Sequence, residues 1–549
     1  MNKTKYYLFI VLLLMSCGLM SQQKAIPPEQ PRLILLLTTE NFRFDYLNKF
    51  YNKFEDNGFK RLMNEGTFCK NTFYNYFFTQ NLPGLATIVT GSQPSWHGIV
   101  TNEWYYAMTR KNVPACYDNT IKLLGEHIDT YRVSPKNMMT ASFSDELRLH
   151  FCNKSKIYSV ALNPSSAVIL GGHAADAAYF FENETGNMIT NMFYLDSLPN
   201  WVKQFNAKKL PETYLDRIWK PLFPDSMMVE SDKDSAKYEK GFMKSGILFP
   251  YDLNKISTID RKHRDYSVLS KTPFGNTLIH DFAIQLIISE NLGKDNVTDF
   301  LAVDFDALGN IARYFGAVSK EMEDAVLRMD KEIAHLLDFI DAYLGKQNVL
   351  VVFVPANGAM LPPEYLSQFK LNAGRFKHMF SFSLLKSYLN AYYGKGEWVL
   401  KYDNQQIYLN RNLIEDSKLS LPDFQNKVAD FIAQFSGVSS CITATTLQNN
   451  NFSTGIEAKI KNSYNRKRSG DIFINLIPYW MQDVSAVSVS NTSYVYDTHV
   501  PLFFYGWRVK IRTIENKIDV TQIAPALSNI MNIQLPNGAF DEPFLMFFK

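Results

Sequence analysis

Apolar positions along this chain fall into short unbroken runs that end at turn-forming residues. "PRLILLLTTE" (31–40), "KIYSVAL" (156–162), "VTDFLAVDF" (297–305) and "NVLVVFVPANG" (348–358) are of this kind. Such runs predict strands buried on both faces of a parallel sheet. The last of them breaks at Pro355, Asn357 and Gly358. Ahead of it, "SKEMEDAVLRMDKEIAHLLDFIDAYLG" (319–345) has the other period: Met322, Val326, Met329, Ile333, Leu336, Ile340 and Leu344 recur at spacings of three and four. That spacing is one face of a helix, with Ser319 placed to cap its start and Gly345 its end. Strand, helix and strand together make a βαβ unit over 297–355. "NLPGLATIVTGSQPSWHGIVTNEWY" (81–105) predicts a further helix between turns, and "THVPLFFYGW" (498–507) with "DVTQIAPALSNIMNI" (519–533) a closing strand and helix.

Two tracts break this rhythm. Residues 191–295 are rich in Pro, Lys, Asp and aromatics, and residues 381–480 mix short apolar runs with polar loops such as "LQNNNFSTG" (447–455). Both read as insertions at the carboxyl edge of one α/β core, whose parts are then 31–190, 296–380 and 481–549. The carboxyl edge is where open α/β sheets place ligands. The strand ending near 355 nevertheless offers only Ala356 and Asn357 there.

A chain of 549 residues, 46% hydrophobic and with a net charge of +3, has ample material for a large core and no charge excess to favour nucleic acid or an anionic membrane. The amino terminus differs from the rest. Lys3 and Lys5 precede "YYLFIVLLLM" (6–15), a secretory signal too short to span a bilayer. It has two readings: cleavage after Ser21, removing 1–21, or removal of 1–16 at "LMSC" with lipidation of Cys17. Either sends the protein to the periplasm or the outer membrane, with membrane contact only through a lipid anchor. Cys69, Cys116, Cys152 and Cys441 remain, without a spacing that fixes any pairing.

There is no G-x-S-x-G elbow, P-loop or dinucleotide fingerprint. The nine histidines never come closer than 17 positions, so no paired-histidine metal motif exists. Carboxylates at strand ends are few: Glu40, Asp304 and Asp306.

"FRFDYL" (42–47), "GFKRLMNEGTF" (58–68), "TGSQPSWHGIVTNEWY" (90–105), "ILGGHAADAAYFF" (169–181), "EMEDAVLRMDKEIAHLLDFID" (321–341) and "YDTHVPLFFYGW" (496–507) carry a resemblance to the alkaline phosphatase superfamily. The similar branch is that of the phosphate-irrepressible bacterial phosphatases and the nucleotide pyrophosphatases. The resemblance implies a mostly parallel sheet flanked by helices, with two inserted subdomains. It also implies a two-zinc centre held by Asp and His beside a Thr or Ser nucleophile. Carried over position by position, the aspartate ending the first strand falls on Glu40 and the nucleophile on Asn81. The D-x-x-x-H pair falls on Gly309 and Arg313, and the Asp-His pair on Ala356 and Asn357. The substrate-contacting Lys and Arg fall on Asn163 and Ser165. His499 and Asn102 match the family, and Thr79 lies two residues before the nucleophile position.

These replacements lead to the expectation of a catalytically degenerate member with no cofactor, kept as a scaffold or binding component of a cell-envelope assembly. Its protein partners would be met through aromatics of the insertions: Trp201, Tyr214, Trp219 and Phe223, and Tyr392, Tyr393, Trp398 and Tyr408. The alternative is a phosphoric or sulfuric ester hydrolase with a remodelled metal site using Glu40, Asp304, Asp306 and His499, with zinc as the metal. Arg313 has two readings: its guanidinium replaces the lost metal charge and pairs with Glu40 or Asp306, or it points into solvent from a remodelled loop.

Fractionation of cells expressing Cys17→Ala separates the two export readings. Lipidation predicts that the wild type sediments with membranes and the variant does not; wild type already free in the soluble periplasmic fraction identifies Ser21 as the cleavage point.

Overall fold

Side-chain alternation along the first strand, β1 (Leu33–Thr39), sets the layering of the whole molecule. Leu33, Leu35 and Leu37 enter one apolar cluster and Ile34 and Leu36 enter the other, on the opposite sheet face. The computed structural model describes residues 28–121, 132–242, 246–260, 263–482 and 485–548. The export signal and Cys17 lie outside the described residues.

β1 is the middle strand of a nine-stranded sheet. The others are β2 (Thr67–Phe73), β3 (Ile157–Ala161), β4 (Ala177–Phe181), β5 (Met188–Ile189), β6 (Asp299–Phe305), β7 (Val349–Phe353), β8 (His499–Gly506) and β9 (Arg512–Asp519). Their order is β9-β2-β8-β7-β1-β6-β3-β4-β5. The run β7-β1-β6-β3-β4 is parallel, and antiparallel pairs begin outside it on both sides. The expected α/β architecture with a mostly parallel sheet is therefore the observed one. Helices cover both faces: α1 (Asn81–Thr90), α2 (Pro164–Gly171), α3 (Pro273–Ser289), α4 (Ala307–Tyr314), α5 (Lys320–Tyr343) and α6 (Ile523–Met531).

The predicted βαβ unit forms as β6, α5 and β7, with α4 added between β6 and α5. Ser319 Oγ accepts from the Met322 amide at 3.1 Å, and Gly345 takes a positive φ of 88° after the helix ends. Met322, Val326, Met329, Ile333, Leu336 and Ile340 are all buried against the sheet. Glycine matters at one further place. A Cβ on Gly84 would stand 2.1 Å from the Ala356 carbonyl oxygen, so the absence of a side chain lets α1 start directly over the end of β7.

The two tracts outside the core rhythm behave differently. Residues 399–403, 406–409, 438–443 and 472–476 build a separate four-stranded sheet with its own apolar cluster around Leu385, Leu389, Phe424, Val428 and Ile474. Residues 191–295 instead send Val202, Phe205, Tyr214, Trp219, Tyr251 and Phe282 into the main core cluster. The aromatics considered as contact surface are mostly turned inward. Trp219, Tyr214, Trp398 and Tyr408 are buried, Trp201, Phe223 and Tyr393 pack against the clusters, and Tyr392 is 61% exposed. Cys69, Cys116, Cys152 and Cys441 are free thiols. Among the described residues no helix is long and apolar enough to cross a membrane.

Candidate active site

Parallel strands deliver their carboxyl ends to a common edge, and here a cavity of about 470 Å³ lies above the ends of β1 and β7. Its floor is Glu40 and Asn41 after β1, Asn81 at the first turn of α1, Gly309 and Arg313 on α4, and Asn357 after β7. Its walls are Asn102 and Glu103, the hairpin residues Asp403, Asn404 and Gln405 of the second sheet, and the loop Ser490–Asn491–Thr492.

Hydrogen bonds between strand ends fix the floor. Thr38 Oγ1 donates to Asp304 Oδ1 at 2.8 Å and Thr39 Oγ1 to the Phe305 carbonyl at 2.8 Å, locking β1 to β6. Asn357 accepts from the Asn41 amide through Oδ1 at 2.7 Å and donates Nδ2 to the Thr79 carbonyl at 2.9 Å. It thereby ties the turn after β1 to the segment entering α1. Asn102 Oδ1 accepts from the Leu82 amide at 3.0 Å, so this residue caps the first turn of α1. Gln80 accepts from the Asn102 amide at 2.7 Å and donates to Asn404 Oδ1 and Asn491 Oδ1, both at 3.0 Å. One glutamine thus fastens the wall loops to the helix start. Thr79 turns away from the cavity, its hydroxyl donating to the Thr492 carbonyl at 2.7 Å.

At this floor and just beneath it, the carboxyl groups of Glu40, Asp304 and Asp306 interact. Asp304 is buried and pushed up to about 6 by that burial, with the hydroxyls of Thr38 and Ser166 opposing the rise. Asp306 accepts from the amides of Leu162 at 3.1 Å and Asn163 at 2.7 Å, yet burial and then the charge of Asp304 hold its pKa well above the ordinary range. Glu40 is raised well above its ordinary value by burial first, then by Asp306 and Asp304, with Arg313 pulling the other way. Burial and the two neighbouring carboxyls both disfavour the charged form of Glu40. Across the cavity, Asp403 is pushed up to about 6 by burial and by Glu103. The site therefore holds one carboxyl whose ionisation is strongly disfavoured and another that ionises at about pH 6. Asn81 joins the same network, donating Nδ2 to Ser166 Oγ at 3.0 Å while its Oδ1 is buried without a hydrogen-bond partner.

The positions carried over from the phosphatases separate into two groups. Glu40, Asn81, Asn102, Gly309, Arg313 and Asn357 line the cavity. Asp304 and Asp306 lie beneath it, Ala356 is buried under α1, and Asn163 and Ser165 belong to the start of α2, Asn163 as its cap. His499 is removed from the floor. Its ring is sandwiched between Phe44 and Phe73 at 4.1 and 4.6 Å, its Nε2 faces the Lys70 carbonyl at 2.7 Å, and burial lowers its pKa. It cannot join Glu40 and Asp306 in the remodelled metal site considered from sequence. Glu40 and Gly309 are coupled: a Cβ on residue 309 would lie 2.1 Å from Glu40 Cδ. The longer acid at 40 occupies the room that a side chain at 309 would need.

These residues do not fit a two-zinc centre. Among the described residues no three His, Cys, Asp or Glu ligands converge in the cavity. Asn357 has both ends of its amide committed to backbone, and Arg313 adds a positive charge. The wall acid Asp403 and its neighbours were missed in the sequence because they come from the 381–480 tract. The available signal was "YDNQQIY" (402–408), a turn between two apolar-alternating runs, which folds as a hairpin with Asn404 and Gln405 at positive φ.

A strand-end cavity with a helix start at its floor is where an open α/β sheet binds its ligand, and the chain belongs to the type I phosphodiesterase/nucleotide pyrophosphatase family, whose model matches residues 34–474. This places it in the alkaline phosphatase superfamily. It is 33% identical over 520 residues to a Myroides odoratus protein named a calcium-transporting ATPase, covering 94% of each chain. It is 31% identical to alkaline phosphatase PafA of Elizabethkingia meningoseptica, over 96% of each chain, and 30% identical to alkaline phosphatase PhoV of Synechococcus elongatus, over 93% of this chain and 92% of that one. The crystal structure of wild-type PafA superposes with a TM-score of 0.90 at 30% identity, covering 96% of this chain and 100% of that one.

These relationships overturn the expectation of a non-catalytic scaffold. Matches to proteins named alkaline phosphatases run through both tracts that were read as freed for docking, so those tracts belong to the phosphatase architecture. The expectation that no metal is bound is likewise not carried forward, since zinc is what the family implies; the donors of this cavity simply do not supply its two-ion site.

Asn357→Asp tests that assignment. The new carboxylate would face the Thr79 carbonyl in place of an N–H donor. The expected result is a loss of about 1–3 kcal/mol of stability, measured by denaturant unfolding, with no zinc gained in the cavity. A stabilised, zinc-loaded variant would contradict the geometry.

Proposed function

We propose that this chain is a phosphoric ester hydrolase that works through carboxyl acid–base chemistry, with phosphodiesters as its preferred substrates. The observation that carries the reading is the pairing of a protonated Glu40 with a readily ionised Asp403 in one strand-end cavity of a chain related over its length to alkaline phosphatases. In the proposed reaction a water attacks phosphorus and Asp403 accepts its proton. Glu40 gives its proton to the departing ester oxygen as the P–O bond breaks, yielding an alcohol and a phosphate monoester. Both carboxyls then return to their starting states by proton exchange with solvent. Arg313, the start of α1 and the side-chain amides around the cavity offer positive charge and N–H donors to the non-bridging oxygens. No step is routed through zinc.

Preference for a diester follows from charge. Among the described residues Arg313 is the one cationic side chain lining the cavity, against Glu103 and Asp403. A diester monoanion meets less repulsion there than a monoester dianion. The signal-like amino terminus supports an exported enzyme.

Bis(4-nitrophenyl) phosphate and 4-nitrophenyl phosphate are the direct probes. Diester turnover should exceed monoester turnover. kcat/KM should rise as pH passes about 6, where Asp403 ionises, and fall at higher pH as Glu40 loses its proton. Glu40→Gln and Asp403→Asn should each lower diester turnover by about 10²–10⁴-fold, and Asp403→Asn should abolish the acidic limb. Turnover untouched by both substitutions, or absent from the wild type with either ester, would overturn the proposal.

A further inference from the structure

Away from the cavity, three metal-ligating side chains meet between two long helices. His280 stands in the middle of α3, and Glu332 and His335 lie one turn apart on α5, in an E-x-x-H arrangement that puts both on the same face. One ligand atom from each lies within 4.8 Å of the other two. None of the three lines the cavity described above.

His280 supplies the decisive observation. It is 6% exposed, and its Nε2 is buried with no hydrogen-bond partner. With Nε2 unpartnered, the ring makes its polar contacts through Nδ1. Its Nδ1 lies 3.0 Å from Asp281 Oδ1 and 3.3 Å from Glu332 Oε2. Glu332 Oε2 and Nδ1 thus already stand at about the spacing of two ligands of one zinc ion, and Nδ1 is the nitrogen that faces the cluster. Glu332 is itself oriented, accepting from Thr277 Oγ1 at 2.7 Å.

We infer that His280, Glu332 and His335 form a site for a divalent first-row transition ion, with zinc as the best match. Two imidazoles and one carboxylate supply the nitrogen and oxygen donors that zinc takes, and water completes a tetrahedral shell. The carboxylates of Glu332 and Asp281 balance the charge of a divalent ion. Since α3 and α5 both pack on the same apolar cluster, the ion would clamp the two helices together. Its role is structural, and the site is independent of the reaction proposed for the cavity.

The test uses full-length mature protein stripped with a chelator and titrated with Zn²⁺ against a chromophoric competitor, with thermal unfolding followed in parallel. The expected result is one zinc per chain and a higher unfolding temperature with zinc. Glu332→Gln and His335→Ala, at partly exposed positions, should each weaken zinc binding by at least about tenfold and remove the thermal shift. Glu40→Gln should leave both unchanged. Retention of wild-type affinity in both helix variants, loss of zinc in Glu40→Gln, or no zinc bound by the folded wild type would each overturn the assignment.

Discussion

Three carboxyl groups share one poorly hydrated region at the ends of β1 and β6, and a single nearby guanidinium opposes them. Strand register brings them together: Thr38 pairs with Asp304 and Thr39 with Phe305, so the residues that follow, Glu40 and Asp306, emerge side by side. Ionising all three would place like charges in a low-dielectric space, at a cost of several kcal/mol for each uncompensated ion. The lower-lying pair is partly compensated, Asp304 by Thr38 and Asp306 by two backbone amides. Glu40 has no such bonds from the backbone, and the proton rests most readily there.

Much of the local architecture follows from accommodating that acid. Gly309 leaves room for the Glu40 side chain, and Arg313, one turn further along α4, limits how far its pKa rises. Asn357 holds the turn that carries Asn41 against the start of α1. The family's two-ion solution neutralises strand-end carboxylates with metal. In this chain a proton and an arginine take the place of that charge. The pocket lining is polar, and in the proposed reaction its own carboxyls serve as the acid–base groups.

The parallel core was legible in the sequence because its signals are local. The runs at 31–40, 297–305 and 348–353 and the three-and-four spacing of α5 each specify an element without reference to distant residues. The floor of the cavity was legible for a related reason: Glu40, Asn81, Gly309 and Asn357 lie at strand ends or helix starts fixed by that core, and Arg313 follows one turn after Gly309. The wall was not. Asp403 reaches the cavity only because a hairpin of the second sheet folds over it, a relation between residues far apart in the chain. His499 is the structural residue that a strand motif kept for packing implies, its ring held between Phe44 and Phe73. The His280, Glu332 and His335 cluster was hidden because a histidine 52 positions before an E-x-x-H pair has no sequence signature until the two helices pack. The inference of lost function erred at another level. It counted missing ligands without asking what chemistry the substituted groups could perform.

The central claim is that Glu40 carries a proton at neutral pH in the folded protein. Infrared difference spectroscopy between the wild type and Glu40→Gln measures this without depending on turnover or on any substrate. The account predicts a carbonyl-stretch band of a protonated carboxylic acid at pH 7 that is present in the wild type, absent from the variant and shifted by exchange into heavy water. A wild type whose difference spectrum shows only the carboxylate bands of an ionised Glu40 at that pH would contradict it.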